Sequence, residues 1–146
     1  MKIKVVWIGK TKNAAIESLT QEYLKRISRY ANVEGGSVKD EAGIIALMAG
    51  DKGKNRRRLV LLDSRGKQLS SEELARYLEA EQVNAIPVWF AIGGSDGFTD
   101  EARRQSSLVV SLGRMTLPHE LARVVLLEQI YRAFTILKNH PYHLGH

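Results

Sequence analysis

The amino-acid sequence predicts a single-domain α/β protein built on a mostly parallel sheet with helices on both faces. Short apolar runs typical of buried strands alternate with segments whose apolar residues recur at helical spacing. The chain has 146 residues, a common length for one domain. It also contains no repeat, low-complexity tract or Pro/Ser-rich linker that would divide it. One domain spanning residues 1–146 is therefore expected.

The first part of the chain predicts strand–helix pairs. Residues 2–9 form an Ile/Val/Trp run that predicts a strand, and apolar residues at helical spacing follow over residues 16–30. A weaker strand near residues 32–38 precedes a short helix over residues 41–49. A basic loop is then expected over residues 50–57.

The middle of the chain repeats this alternation. Residues 58–63 are nearly all apolar, which is typical of a strand covered on both faces, and Gly66 is expected to close the turn after it. Ser70 and Glu73 have the spacing of a capping box and predict the start of a helix. Residues 87–92 predict another buried strand.

The last part of the chain contains a glycine-rich loop at residues 93–97, a polar helix over 99–106 and a strand over 108–112. A long helix is predicted over residues 118–138, with Pro118 in its first turn. At 1.5 Å per residue this helix would be roughly 30 Å long.

This long helix is apolar almost all round, apart from a narrow stripe that contains Glu128, Arg132 and Thr135. A helix of this kind needs cover on more than one side. We predict that the sheet covers one side and a second subunit the other, which implies a homodimer. The alternative is a central helix wrapped by its own chain.

The composition restricts the chemistry. The formal net charge is +6 and no cysteine is present, which excludes disulfides, thiolate zinc sites and thiol nucleophiles. A polyanion such as a nucleic acid is a plausible partner, although basic faces are often simply solvated. The basic residues cluster at Lys25, Arg26 and Arg29, at Lys52, Lys54, Arg56, Arg57 and Arg58, and at Arg103 and Arg104.

The ends of the chain carry two further expectations. The N-terminal apolar run has only five residues, too few for a secretory signal or a membrane span, so a cytoplasmic protein with no membrane partner is expected. His140, His143 and His146 are spaced by three, but no carboxylate ligand accompanies them, so no metal is expected.

The common motifs of nucleotide sites, metalloproteases and α/β-hydrolases are absent from the sequence. What remains is a set of loops at predicted strand ends, where an α/β sheet binds its ligand. They follow Leu62, occupy residues 93–97 and occupy residues 113–118. Leu62, Met115 and Leu117 could wall an apolar slot for a flat base. Each loop alone is more typical of a simple turn than of a site.

Two of these loops carry a specific resemblance. The segments IGGSDGF at residues 92–98 and LGRMTLPHELARVVLLEQIYRAFTILKNHPYH at residues 112–143 closely resemble the C-terminal signature of the RlmH family. The likeness extends to KIKVVWIGK, EYLKRISRY and LLDSRGKQLSSEELA, so it covers nearly the whole chain. Members of this family are SPOUT-class 23S rRNA pseudouridine-N3 methyltransferases.

The resemblance implies a SPOUT fold with a C-terminal trefoil knot, which departs from the usual unknotted topology. It also implies a homodimer that uses S-adenosylmethionine (SAM) to methylate N3 of a pseudouridine in the helix 69 loop of 23S rRNA, within the assembled 70S ribosome. By position, the implied SAM contacts are Leu62, Gly94, Gly113, Arg114, Met115, Thr116, Leu117 and Pro118.

Catalysis requires loss of the imide proton before N3 of pseudouridine becomes nucleophilic. The candidates near the substrate are His143, Tyr142 and His119, and a purely structural role at a helix terminus is the alternative for His119. Family members usually have Arg or Lys after the Tyr-His pair, whereas Leu144 stands there in this chain. Arg114, or the partner subunit's Arg132, could supply the missing positive charge.

Two other functions stay open at this point. One is a catalytically silent RNA- or ribosome-binding homologue, which the altered tail allows. The other is a SPOUT methyltransferase acting on tRNA, for which a separate RNA-binding extension would be expected. The intact cofactor loops favour an enzyme over a silent binder.

Overall fold

The structure, a computed structural model, describes residues 1–47 and 56–144. Most of the predicted basic loop over 50–57 lies outside the described residues, and so do the last two residues of the second predicted helix. Lys52, Lys54 and His146 lie outside them as well.

The described chain forms one five-stranded sheet in which every pairing is parallel. The strand order is β2-β1-β4-β3-β5, so β4 lies at the centre. The strands are β1 Lys2–Ile8, β2 Asn32–Val38, β3 Arg58–Gln68, β4 Val88–Ile92 and β5 Leu108–Ser111. The predicted parallel α/β class is confirmed.

Helices cover both faces of the sheet, as the uninterrupted apolar strands predicted. The helices are α1 Ala14–Ile27, α2 Glu41–Leu47, α3 Ser71–Val83, α4 Asp100–Gln105 and α5 His119–Leu137, followed by a 3-10 turn at Pro141–His143. α1, α3 and α5 pack on the face that carries Val5 and Phe90. α2 and α4 pack on the opposite face, against Val6 and Ala91.

Local signals define where the helices begin. The hydroxyl of Ser70 accepts from the Glu73 backbone N–H at 3.0 Å, and the Glu73 carboxylate accepts from the Ser70 N–H at 2.9 Å, so the predicted capping box is present. Pro118 stands one residue before α5, at the N-cap, rather than inside the first turn. Its fixed φ suits either position.

The prediction that Gly66 closes a turn is wrong, because β3 continues through Gly66 to Gln68. Leu62 and Lys67 both lie opposite Val110 of β5, and residues 63–66 form an irregularity between them. A Cβ on Gly66 would lie 2.7 Å from backbone atoms of Val109 and Val110. The glycine therefore allows a close approach of two strands, which the local pattern could not reveal.

The long helix α5 is covered by its own chain. α1 and α3 flank it, and Leu127, Ile130 and Phe134 are almost completely buried against the sheet. Thr135, expected in the polar stripe, is fully buried, and its hydroxyl donates to the Arg132 carbonyl at 2.6 Å. The central-helix alternative accounts for this packing, and the homodimer stays a prediction.

The first turns of α5 are tied to the loop after β1. Arg123 is almost fully buried, donates to the Thr11 hydroxyl at 2.7 Å and lies 3.9 Å above the centre of the Trp7 ring. Burial lowers the pKa of its guanidinium. The Glu120 carboxylate accepts from the Lys12 N–H at 2.7 Å. These contacts hold the start of α5 beside the carboxyl end of β1.

No helix within the described ranges is long and apolar enough to cross a membrane. The trefoil knot and the boundaries of a single domain at residues 1–146 stay predictions.

Candidate functional site: a cleft at the carboxyl edge of the sheet

The three strand-end loops singled out in the sequence meet in one cleft of about 370 Å³. Residues 62–65, 92–97, 111–113 and 115–117 line it, together with His119 and Ala122 from α5. The carboxyl ends of parallel strands share one edge of a sheet, so loops distant in sequence come together there. The volume suits a small-molecule site.

Most of the residues predicted to contact SAM line this cleft, namely Leu62, Gly94, Gly113, Met115, Thr116 and Leu117. Arg114 and Pro118 belong to the same loop but are exposed and are not part of the lining. The apolar side chains predicted to wall a slot for a flat base, those of Leu62, Met115 and Leu117, are thus brought together.

Backbone conformation explains two of the glycines in the cleft. Gly97 has φ +72° and Gly113 has φ +143°, values that strain any residue with a Cβ. Gly94 is different, because its φ is not positive and a Cβ there would meet nothing within 4 Å. The fold does not require a glycine at position 94, so the space above it is available to a ligand.

Asp63 links two of the loops. Its carboxylate accepts from the Arg65 backbone N–H at 2.9 Å and from Arg65 Nε at 3.1 Å, both through Oδ1. Its Oδ2 accepts from Arg65 Nη2 and from the Phe98 N–H, each at 3.2 Å. Only 2% of the Asp63 side chain is exposed, so these donors compensate the burial of a charge.

The pKa of Asp63 lies below its ordinary value. Burial alone would raise this pKa, but the hydrogen bonds from the Arg65 side chain and from the Arg65 and Phe98 backbones outweigh it. No motif in the sequence singled out Asp63. The signal available was an acidic residue at the end of an apolar run over residues 59–62.

Side chains of β3, α2 and α4 hold the end of the glycine-rich loop. The Phe98 carbonyl accepts from Arg65 Nη2 at 2.9 Å and from Arg103 Nη1 at 2.5 Å. The Glu41 carboxylate accepts from the Thr99 N–H at 2.8 Å and from the Thr99 hydroxyl at 2.7 Å. The loop is therefore anchored at its C-terminal end while Gly94 stays open.

The predicted catalytic residues separate into two places. His119 is exposed and lines the cleft. Tyr142 and His143 do not line it, and lie instead in a cluster formed where the tail contacts α3 and α5. We call this the tail cluster and define it as Glu72, Glu128, Arg132, Tyr142 and His143.

Both ring nitrogens of His143 are engaged in the tail cluster. Nδ1 lies 3.0 Å from Arg132 Nη1, and Nε2 lies 2.7 Å from a Glu72 carboxylate oxygen. Arginine can only donate, so we assign Nδ1 as the acceptor and place the proton on Nε2, which donates to Glu72. In this arrangement neither nitrogen is available to accept a proton from a substrate.

Tyr142 is held by the same network. Its hydroxyl donates to Glu128 at 3.2 Å, its ring packs beneath Arg132, and Arg132 also bonds Glu128. Burial raises the pKa of Tyr142, and the Glu128 carboxylate raises it further. Sequence spacing could suggest the Glu128–Arg132 pair, but nothing local points to Glu72.

A second cavity of about 290 Å³ lies between the cleft and α3. It shares Leu62, Ser111 and Leu112 with the cleft, and Gln129 of α5 also lines it. The Ser71 hydroxyl donates to Gln129 at 2.6 Å, one residue from Glu72 of the tail cluster. Within residues 1–47 and 56–144, no group of three His, Asp or Glu side chains could hold a metal ion.

Curated relatives match along nearly their whole length. Proteins named "Ribosomal RNA large subunit methyltransferase H" are 53% identical in Koribacter versatilis, with all of both chains covered, and 46% identical in Geobacter sulfurreducens, with 98% of this chain and 99% of that protein covered. The protein of that name from Deinococcus radiodurans is 44% identical, with 99% of this chain and all of that protein covered.

Solved structures share the fold at low sequence identity. A methylase family protein from Haemophilus influenzae gives a TM-score of 0.58 at 16% identity, over 98% of this chain and 70% of that one. A methyltransferase from Legionella pneumophila, solved with SAM, gives 0.51 at 16% identity, over 91% of this chain and 66% of that one. The family model described as "Predicted SPOUT methyltransferase" matches residues 1–143, and the chain belongs to the SPOUT methyltransferase family.

Proposed function

We propose that this protein transfers a methyl group from SAM to N3 of a pseudouridine in the helix 69 loop of 23S rRNA, within the assembled 70S ribosome. The observation that carries the proposal is the convergence of the three strand-end loops in one cleft. The named relatives support ribosomal RNA of the large subunit as the substrate. The pseudouridine and helix 69 follow from the family resemblance.

The cleft fits SAM in size and chemistry. Its volume of about 370 Å³ suits a small cofactor, and the space above Gly94 lets a ligand lie against the backbone. Leu62 and Leu117 offer apolar contact to a base, and the loop from Gly113 to Leu117 offers backbone groups. Bound there, SAM would supply an electrophilic methyl group on a sulfonium centre.

The chain itself orients the target nucleotide and removes the imide proton from N3 of the pseudouridine. A cleft that holds the target nucleotide in line with the methyl group replaces a chance encounter with a fixed geometry. His119 is the candidate base that reaches this cleft within one chain. The raised pKa of Tyr142 and the engaged nitrogens of His143 favour a positioning role for both.

We also propose that the protein acts in the cytoplasm as a homodimer. Burial of α5 by its own chain removes the sequence argument for a dimer, so the proposal depends on the family resemblance. It gains support from exposed apolar side chains at the start of α5 and in the loop before it, where Leu121 is 42% and Met115 is 87% exposed. The net charge of +6 suits an RNA partner.

The test is methyl transfer from labelled SAM to 70S ribosomes, isolated subunits and bulk tRNA, with the modified nucleotide mapped by mass spectrometry. We expect label at the helix 69 pseudouridine of 70S ribosomes. Label in tRNA would instead assign a tRNA methyltransferase. SAM binding without transfer to any of these RNAs would favour the silent homologue.

A further inference from the structure

We propose that Arg65 is a substrate-binding residue that contacts an RNA phosphate at the mouth of the cleft, and that the buried Asp63 holds it in place. This inference depends on the proposed action on RNA. It assigns part of the substrate surface to a residue that the sequence analysis did not single out.

Acceptors on Asp63 and Phe98 hold the Arg65 guanidinium in one orientation. Its Nε and Nη2 donate to the Asp63 carboxylate at 3.1 and 3.2 Å, and Nη2 also donates to the Phe98 carbonyl at 2.9 Å. These bonds occupy one edge of the guanidinium. Nη1 has no hydrogen-bond partner in the part of the chain that the structure describes, and 57% of the side chain is exposed.

The open edge of the Arg65 guanidinium lies at the cleft. Arg65 lines the cleft together with Gly94 and Gly97. A Cβ on Gly97 would lie 3.6 Å from Arg65 Nη2, so the guanidinium lies directly beside the glycine-rich loop. Arg65 therefore stands at the rim of the proposed SAM site, where a nucleotide would have to enter.

The charges around Arg65 favour an anionic ligand. The carboxylate that neutralises Arg65 is buried behind it, with 2% of its side chain exposed, so the surface presents the cation and not the pair. Arg114, in the facing loop, is also exposed. Asp96 also lines the cleft and carries the opposite charge.

The open edge of the Arg65 guanidinium suits a phosphate group. A guanidinium presents N–H groups in a planar fork that suits phosphate oxygens, and one held rigidly loses little conformational entropy on binding. A nucleotide whose base reaches the cofactor must carry its flanking phosphates past this rim. Because 57% of the Arg65 side chain is exposed, a phosphate at the mouth of the cleft can reach the guanidinium.

The experiment compares Arg65→Gln and Arg65→Lys with Lys2→Gln, which removes one exposed cation from the amino end of β1, at the edge of the sheet away from the cleft. The KM for 70S ribosomes is measured at saturating SAM over a KCl series at constant Mg²⁺. SAM affinity is measured by calorimetry, and folding of each variant by circular dichroism.

We expect Arg65→Gln to raise the ribosome KM severalfold, with unchanged SAM affinity. The slope of log KM against log KCl concentration should fall by up to about 1, as for the loss of one phosphate contact. Arg65→Lys keeps the charge but loses the planar fork, so it should keep the salt dependence and still raise the ribosome KM, and Lys2→Gln should behave as the wild type. If the glutamine variant does not fold, this rise in KM in the lysine variant still tests the inference.

Unchanged KM and salt dependence in Arg65→Gln would overturn the inference and leave Arg65 as a loop anchor. Weaker SAM binding with an unchanged salt dependence would also overturn it and assign Arg65 to the carboxylate of the cofactor. Failure of the proposed function appears separately, because the wild-type protein would then methylate no ribosomal RNA.

Discussion

The cleft and the tail cluster are built in opposite ways. Half of the residues that line the cleft are Gly, Ala, Ser or Thr, and most of the lining comes from the ends of three parallel strands and the loops after them. The tail cluster consists of charged and aromatic side chains from α3, α5 and the C-terminal 3-10 turn. Both contain residues that the sequence assigned to function, but only the cleft assembled as expected.

This difference shows what kind of site a sequence can predict. Strand ends of a parallel sheet necessarily meet at one edge, so glycine-bearing loops after predicted strands converge without further information. The tail has no such constraint. It turns back along α5 because Asn139 adopts φ +55° and the His140 N–H donates to the Thr135 carbonyl at 2.9 Å.

The largest effect should come from Gly66→Ala, which disturbs the pairing of β3 with β5 next to the cleft. The new Cβ would lie 2.7 Å from the β5 backbone, so the strand leading into residues 113–118 must move. We expect a loss of about 3 kcal/mol of unfolding free energy, measured by urea denaturation. Gly36→Ala is the matched control, because a Cβ there meets nothing within 4 Å. Equal stability of the two variants would contradict the close approach.

Asp63→Asn should change how the stability of the protein depends on pH, because Asp63 holds the loops of the cleft as a carboxylate. The pKa of Asp63 is lower in the folded protein than its ordinary value of 3.8, so its stabilisation is complete above 3.8 and is lost as the pH falls through the folded pKa. We expect the variant to be less stable at neutral pH and to lose less stability on acidification. Melting temperatures from neutral pH down to about pH 3 measure this. Parallel curves for both proteins would contradict it.

Gly94→Ala should weaken the cleft as a binding site without weakening the fold. The added methyl group enters open space in the protein, but it would occupy room proposed for SAM. We expect about a tenfold loss of SAM affinity by calorimetry, equivalent to roughly 1.4 kcal/mol, and an unchanged melting temperature. Undiminished SAM affinity would place the cofactor elsewhere.

The smallest effect should come from Glu72→Ala, which touches only the tail cluster. Loss of the 2.7 Å contact frees His143, so we expect a severalfold lower kcat on ribosomes with unchanged SAM affinity. Glu72→Gln keeps an oxygen that accepts from Nε2 and should restore kcat. Glu79→Ala, an exposed change on the same helix, serves as the control. A wild-type kcat in Glu72→Ala would leave the tail cluster with no part in catalysis.

Prediction from the sequence succeeded where the relevant interactions are local. The helix signal at Ser70 and Glu73 depends on residues three positions apart, and it appears in the structure as a capping box. The strand at residues 32–38 was expected from a weak pattern and is present with the same bounds. Gly66 was misassigned because its requirement comes from Val109 and Val110, more than forty residues later in the chain.

By itself, the sequence determined the parallel α/β class, the order of the elements and the loops that form the cleft. Periodicity and capping are patterns within short segments, and they identify the strands and helices. The meeting of the loops at one edge then follows from the geometry of any parallel sheet. Only the tertiary structure decided that Asp63 fixes Arg65 and Phe98, and that Glu72 meets His143. Such pairs depend on how distant segments pack, and no local pattern encodes which side chains will then face each other.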